Sequence, residues 1–246
     1  MYRIRFHGRG GQGMKTAGRI LGSAFFLEGY EVQDAPRYGA ERRGAPIFSY
    51  VRADKKPIDE RGVITNPDLI IVADDSLVTV PAAGVMEGLD EQAVLLINSH
   101  ETADTWQHRL NTRARVIVLP VEGFMQNRAE LLYISAACVG AAARLLGVIG
   151  RAALVSAIED ELHDQGPDTI TANCVRALEA FESMAAFESC VQQRPQVSAV
   201  DYKPPEWIET VFEAASISAP TIHASLTSVE VKTGLWRTMR PVIEYD

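Results

Sequence analysis

The feature that most constrains the fold is the stretch YRIRFHGRGGQGMKTAGRIL, residues 2–21. Alternating residues at its start predict a short β-strand over residues 3–6, and apolar residues at helical spacing predict a helix over Met14–Leu27. The turn between them contains glycines at positions 8, 10, 11 and 13. Because glycine adopts positive φ angles and permits close approach, the turn can join strand and helix tightly. This order of elements predicts an α/β fold.

The chain up to about residue 191 continues to alternate between strand and helix patterns. The predicted strands are residues 30–35, 47–53, 69–73, 93–98 and 115–121, and the predicted helices are residues 129–147, 151–162 and 169–191. The later strands are continuous aliphatic runs, which is typical of a sheet covered on both faces. We therefore predict a three-layer α/β/α domain with a mostly parallel sheet over residues 1–191.

Residues 192–246 have a different character from the preceding domain. They contain five prolines and little periodicity, yet the stretch WIETVF, residues 207–212, is too apolar for a plain disordered linker. One interpretation is an extended C-terminal arm that becomes ordered on a partner subunit. The other is a tail wrapped over its own domain. The residues alone leave both interpretations open.

Charge and hydropathy exclude several classes of partner. The 246-residue chain has a net charge of -8, which argues against nucleic-acid binding. It has no apolar run close to the roughly 20 residues that a membrane-spanning helix needs, so no membrane partner is predicted. Since Met1 leads directly into a strand pattern with no secretory signal, a cytoplasmic location is expected.

Residues that carry catalytic or metal chemistry are sparse in this sequence. The three cysteines, Cys138, Cys174 and Cys190, form no C-x-x-C pair, so we expect neither an iron–sulfur cluster nor a structural zinc in this chain alone. His7 ends the first predicted strand and is interpreted as a structural histidine rather than a catalytic base. We therefore predict no catalytic residue and no metal ligand.

The glycine turn matches the spacing of a dinucleotide-binding loop. Gly8, Gly10 and Gly13 fit G-x-G-x-x-G, and the N-terminus of the following helix can bind phosphate. Asp34 falls where a ribose-binding carboxylate would lie. This pattern supports a stand-alone nucleotide-binding oxidoreductase that uses residues 8–13. The alternative is a tight strand–helix turn without a ligand, and one motif does not decide between the two.

The loop PRYGAERRGAP, residues 36–46, is the second distinctive segment. Its charged residues are Arg37, Glu41, Arg42 and Arg43. Three arginines can hold an anion or a partner's carboxylates through bidentate hydrogen bonds. A solvated loop paired internally through Glu41 and Asp34 is the alternative. The glycines and prolines favour a fixed shape, and hence a contact surface.

Together these two segments resemble a known family. The stretch GRGGQGMKTAGRIL followed by YGAERRGAPIFSYVR is similar to the gamma subunit, or gamma domain, of the 2-oxoacid:ferredoxin oxidoreductases. The family's G-x-G-G-Q-G turn falls on residues 8–13, and its Tyr-Gly-x-Glu-x-Arg-Gly stretch falls on residues 38–44. The resemblance covers roughly residues 1–188. Two motifs at the family's spacing are more specific than one glycine pattern.

The C-terminus resembles a different subunit of the same family. The stretch KTGLWRTMRPVIEYD, residues 232–246, is similar to the lead-in that precedes the cluster cysteines of the ferredoxin-like delta subunit. No cysteine follows it here. We therefore expect the cluster domain on another chain, and we expect the arm, residues 192–246 with the delta-like leader at 228–246, to dock on partner subunits.

The resemblance implies a complex that decarboxylates a 2-oxoacid on thiamine diphosphate and Mg²⁺. Electrons would leave through [4Fe-4S] clusters to ferredoxin, or to NAD through a further flavin subunit, and the acyl group would pass to coenzyme A. The implied partners are the alpha, beta and delta subunits. This chain has no Gly-Asp-Gly with a downstream Asn, so it is expected to bind none of these cofactors alone.

The two motifs supply the candidate binding residues. These are Gly10, Gly11 and Gln12 in the turn and Arg42 and Arg43 in the following loop. Gln12 is expected to hydrogen-bond a ligand or a neighbouring loop, and we favour the loop. Arg42 and Arg43 are expected to contact coenzyme A phosphates or an acidic partner surface, and we favour the partner.

Overall fold

The computed structural model describes residues 1–37, 44–120 and 133–196, which contain six strands and five α-helices. The strands are β1 (Tyr2–Arg9), β2 (Glu31–Arg37), β3 (Pro46–Asp54), β4 (Leu69–Val72), β5 (Val94–Ser99) and β6 (Arg115–Pro120). The helices are α1 (Met14–Leu27), α2 (Ala103–Leu110), α3 (Ile134–Leu146), α4 (Arg151–Glu161) and α5 (Pro167–Ser183).

The strands form one mixed sheet in the order β2-β3-β1-β4-β5-β6. Strands β1, β4, β5 and β6 are parallel, whereas β3 is antiparallel to both of its neighbours, β1 and β2. Five of the six strands therefore run in the same direction. The prediction of an α/β fold with a mostly parallel sheet is confirmed.

The sheet is covered on both faces, which makes three layers. On one face, apolar strand residues such as Phe6 and Ile71 pack against α1 and α3 in the larger core cluster. On the other face, Ile70 and Ile97 belong to a second cluster with Trp106 of α2 and two short 3₁₀ turns. Alternate residues of the aliphatic strands supply both clusters, as expected for a sheet with two buried faces.

Helices α3 and α5 make an unusually close contact on the first face. A Cβ atom at Gly140 would lie 1.9 Å from the carbonyl oxygen of Ala177, so only glycine allows this approach. Nearly every residue of α3 is buried, and most of them are small. The Ala-rich sequence thus forms a central helix that packs by backbone proximity.

The predicted helix over residues 169–191 is wrong at its C-terminal end. Helix α5 ends at Ser183, and a 3₁₀ turn follows at Ala185–Phe187. Met184 and Val191 are buried against α3, and the Val191 amide donates to the carbonyl of Leu145. The apolar pattern continues past the helix because the chain turns back across α3.

The described chain continues past Val191 along the amino edge of the sheet. Arg194 forms ion pairs with Asp68 and Asp90 there, and it also bonds the carbonyl of Pro67 at 2.7 Å. The rest of the predicted arm, residues 197–246, lies outside the described residues. No helix within residues 1–37, 44–120 and 133–196 is both long and apolar enough to cross a membrane.

Candidate functional site

The glycine turn meets Gly44, the last residue of the second sequence motif, at the carboxyl edge of the sheet. Strand β3 runs opposite to β1, so its first residue, Pro46, lies beside Arg9 at the end of β1. The Gly10 amide donates to the Ala45 carbonyl at 2.9 Å, and the Gly44 amide donates to the Gly10 carbonyl at 3.3 Å. The glycine turn and the end of the arginine-containing loop are therefore joined by two backbone hydrogen bonds.

Two glycines of the motif, Gly8 and Gly13, are required by close packing. A Cβ atom at Gly8 would lie 2.4 Å from Cγ of Met14 on the first turn of α1. Gly13 has a φ angle of 72°, and a Cβ atom there would lie 3.0 Å from Ser135 at the start of α3. Gly11 also has a positive φ angle, but it is exposed and contacts nothing at its Cβ position. The turn thus packs α1 and α3 against the end of β1.

The side chain of Gln12 forms one hydrogen bond within the turn region and another to Asp74, which follows β4. Its Oε1 accepts from the Arg9 amide at 2.7 Å, and its Nε2 donates to Asp74 Oδ2 at 3.4 Å. Arg9 Nε donates to the same Asp74 oxygen at 2.9 Å, and Arg9 Nη2 donates to Ser76 Oγ at 2.7 Å. Asp74 lies just after β4, so these side chains connect the ends of β1 and β4.

The geometry favours the structural interpretation of the turn over a dinucleotide site. Strand β3 separates β2 from β1, so Asp34 lies two strands away from the glycine turn. A ribose-binding carboxylate belongs on the strand next to β1. In addition, the carboxylate of Asp74 contacts both Arg9 and Gln12, and its negative charge opposes a phosphate at this position.

The edge continues at the end of β5 through a second polar network. Asn98 Nδ2 donates to the Ala73 carbonyl at 3.0 Å. Ser99 Oγ donates to Asp75 Oδ2 at 2.6 Å and accepts from Trp106 Nε1 at 3.1 Å. We did not predict Asp74 and Asp75 as edge residues. The signal was their position directly after the buried strand β4, where parallel strands present polar side chains.

His7 lies within β1, two residues before the strand ends, and its surroundings favour a structural role. Its ring is buried and meets Phe48 edge-on at 5.2 Å, and Nδ1 donates to the Ala83 carbonyl at 3.0 Å. Burial, together with the nearby charge of Arg5, lowers the pKa of His7 to about 3. The imidazole is therefore neutral at physiological pH, and this supports its interpretation as a structural residue.

Comparison with known proteins identifies the family. The sequence profile described as pyruvate ferredoxin/flavodoxin oxidoreductase matches residues 3–183. The chain belongs to this family. It is 34% identical over 189 residues to the common gamma subunit of the pyruvate/ketoisovalerate oxidoreductases of Pyrococcus abyssi, which covers 76% of this chain and 100% of the relative. It is also 34% identical to pyruvate synthase subunit PorC of Methanothermobacter marburgensis, covering 75% and 98% of the two chains.

One solved structure agrees with this assignment, and a more distant one shows the same fold. Pyruvate oxidoreductase subunit PORC from Thermotoga maritima superposes with a TM-score of 0.61 at 28% identity, covering 74% of this chain and 95% of that one. A 2-oxoglutarate:ferredoxin oxidoreductase from Magnetococcus marinus shares the fold, with a TM-score of 0.56 at 17% identity over 79% of this chain and 32% of its own. The resemblance to 2-oxoacid oxidoreductases is confirmed.

The family motifs differ in how much of them the structure describes. Gly10, Gly11 and Gln12 lie at the carboxyl edge as stated above, whereas Arg42 and Arg43 lie outside the described residues. Gly44 is held against the turn, so the arginine-containing loop returns to the sheet at this edge. Within the described ranges, no group of three or more His, Cys, Asp or Glu residues is placed to hold a metal ion.

Proposed function

We propose that this chain is the gamma subunit of a multi-subunit 2-oxoacid:acceptor oxidoreductase. The observation that carries the proposal is the match to gamma subunits along their whole length, supported by the bond between the glycine turn and Gly44 at one edge of the sheet. The complex oxidatively decarboxylates a 2-oxoacid to an acyl-coenzyme A and CO₂. We expect it in the cytoplasm, with ferredoxin or NAD as the final electron acceptor.

The cofactors of such a complex do not fit the described part of this chain. Thiamine diphosphate with Mg²⁺ needs oxygen ligands, and [4Fe-4S] clusters need grouped thiolates. No suitable group is present among the described residues, and the thiol of Cys138 is fully buried with its pKa raised to about 12. We therefore assign these cofactors to the alpha, beta and ferredoxin-like delta subunits.

The function of this chain is then to hold and present a contact surface. Gly8 and Gly13 allow the tight turn, and the network of Arg9, Gln12 and Asp74 fixes it. Because Gly44 is bonded to this rigid turn, the C-terminal end of the arginine-containing loop has a fixed position. Less conformational entropy is lost on binding when a contact surface is fixed beforehand, so the fixed position of Gly44 favours subunit assembly.

Co-purification tests the proposed function. The tagged full-length chain, expressed with its natural neighbours, should purify with subunits that contain thiamine diphosphate and iron–sulfur clusters. The complex should reduce an artificial electron acceptor only when a 2-oxoacid and coenzyme A are present. A monomer without such partners would contradict the proposal. Micromolar binding of NAD by the isolated chain would instead support the stand-alone nucleotide-binding enzyme.

Charge reversal tests the proposed contact by Arg42 and Arg43. The double variant Arg42→Glu/Arg43→Glu should weaken capture of the partner subunits by about tenfold or more, because like charges then face an acidic surface. The matched control is Lys56→Glu/Arg113→Glu, which reverses two exposed charges elsewhere. Unchanged capture with a higher KM for coenzyme A would assign the arginines to coenzyme A phosphates instead.

The C-terminal arm forms a separate part of the proposal. We propose that the arm, residues 192–246, docks on partner subunits through its part beyond residue 196, since Arg194 is bound to its own domain. The delta-like leader at 228–246 would lie on the ferredoxin-like chain. Deleting residues 228–246 should weaken capture of that chain and leave the thermal unfolding of the α/β domain nearly unchanged. Capture equal to that of the full chain would contradict this assignment.

A further inference from the structure

One buried arginine on the sheet face opposite α1 lacks the carboxylate partner that its neighbours have. Arg3, Arg5 and Arg52 are the arginines buried within the described residues. Arg3 and Arg52 share Glu60, with Arg3 Nη2 at 2.5 Å from Oε1 and Arg52 Nε at 3.7 Å from Oε2. Among the described residues Arg5 forms no ion pair within 4.0 Å, and Glu87 contributes only a longer-range attraction to its guanidinium. Buried charges are normally paired, so Arg5 is an exception that needs an explanation.

Main-chain carbonyls compensate the charge of Arg5 only in part. Its Nη2 donates to the carbonyls of Glu87 at 2.7 Å, Val85 at 3.0 Å and Gly84 at 3.3 Å, and Nη1 reaches Ile64 O at 3.4 Å. Its Nε is buried and has no hydrogen-bond partner in the described residues. Burial lowers the pKa of Arg5, which shows the cost of this environment to the cation.

Arg5 forms part of the wall of a cavity of about 310 Å³. The lining residues are Arg5, Tyr50, Val63, Ile64, Thr65, Asn66, Glu87 and Gly88. The segments that carry Thr65 and Gly88 precede β4 and β5, so the cavity lies toward the amino edge of the sheet, away from the glycine turn. Gly88 has a φ angle of 66°, and a Cβ atom there would lie 1.6 Å from the Thr65 carbonyl oxygen. These two segments are thus in direct contact, and the cavity has a defined shape.

We propose that this cavity binds a small monocarboxylate with a short aliphatic group. The carboxylate compensates the charge of Arg5, and the aliphatic group lies against Tyr50, Val63 and Ile64. Glu87 lines the same cavity and its charge opposes anionic ligands, so a ligand with one carboxylate is favoured over a ligand with two. The site is independent of the proposed subunit function, because it uses none of the residues at the carboxyl edge.

Binding of isovalerate to the isolated full-length chain tests the site. Isovaleramide has nearly the same shape without the charge, and it serves as the control ligand. By calorimetry or ligand-observed NMR, isovalerate should bind saturably at one site. The amide should bind with an affinity lower by at least about tenfold. No saturable binding of isovalerate up to about 10 mM, or equal binding of the amide, would overturn the proposal.

Two variants that change the charge of the cavity wall in opposite directions show whether isovalerate binds in the cavity. Val63→Asp places a negative charge at a half-exposed position of the wall and should weaken isovalerate binding about fivefold or more. Glu87→Gln removes a negative charge and should strengthen binding. The matched control is Val175→Asp, on an exposed position of α5. Equal effects of Val63→Asp and Val175→Asp would overturn the assignment, and so would weaker binding by Glu87→Gln.

Discussion

The two faces of the sheet are stabilised by different interactions, and strand β1 contributes to both. Ile4 and Phe6 point to the helix face, where α1 and α3 form an apolar core. Arg3 and Arg5 point to the opposite face, where they are buried under loops and bonded to Glu60 and to main-chain carbonyls. The helix face therefore depends on the volumes of its side chains. The opposite face, here called the loop face, has its own apolar cluster around Trp106 but depends in addition on whether its buried polar groups are satisfied.

The largest expected loss of stability comes from adding side-chain volume on the helix face. Gly140→Val places a side chain against the backbone of Ala177, where a Cβ atom has only 1.9 Å. Moving either helix backbone would disrupt its packing, so the free energy of unfolding should fall by about 3 kcal/mol or more. Urea denaturation measures it. The control Ala152→Val adds the same side chain at an exposed position of α4 and should change stability little.

A smaller effect should follow from removing charge on the loop face. Glu60→Gln keeps the side-chain volume but leaves Arg3 and Arg52 without their shared carboxylate. Stability should fall by about 2 to 3 kcal/mol, less than for a fully buried pair, because Glu60 is only partly buried. The exposed Glu91→Gln provides the control in the same urea experiment. If both variants unfold at the same urea concentration, the charge pairing does not stabilise this face.

The helix face could be predicted from sequence better than the loop face. Helix α1 has the predicted bounds because its apolar residues recur at helical spacing between Gly13 and Gly29, both of which have positive φ angles. Helix α2 was not predicted, since Trp106 is its single buried residue. Strand β1 extends past Phe6 to Arg9, because Gly8 pairs with Ile47 inside the sheet rather than starting the turn.

The carboxyl edge could be predicted only in part. The motif spacing pointed to the glycine turn and the arginine-containing loop as a pair. Their contact depends on β3 lying antiparallel beside β1, which no local pattern specifies. The same holds for Asp74, which is 65 residues from Arg9 in sequence yet bonds its Nε. Asp34 was misleading for the same reason, since β3 lies between its strand and β1.

The pH dependence of the free energy of unfolding reports on one buried group of the loop face, His7. The pKa of His7 is about 3 in the folded chain and about 6.5 in the unfolded chain. Between these values only the unfolded state binds the proton, so His7 makes stability rise with pH across this window. Its contribution should fall by about 2 kcal/mol between pH 7 and pH 5.

The variant His7→Gln should remove this part of the slope, whatever its effect on stability at pH 7. Gln retains a hydrogen-bond donor for the Ala83 carbonyl but does not titrate in this range. Urea unfolding at several pH values between 5 and 7 measures the slope, and the exposed His108→Gln is the control that should leave it unchanged. If His7→Gln keeps the wild-type slope, the buried imidazole titrates like an exposed one. The loop face would then be open to water, and its contrast with the helix face would not hold.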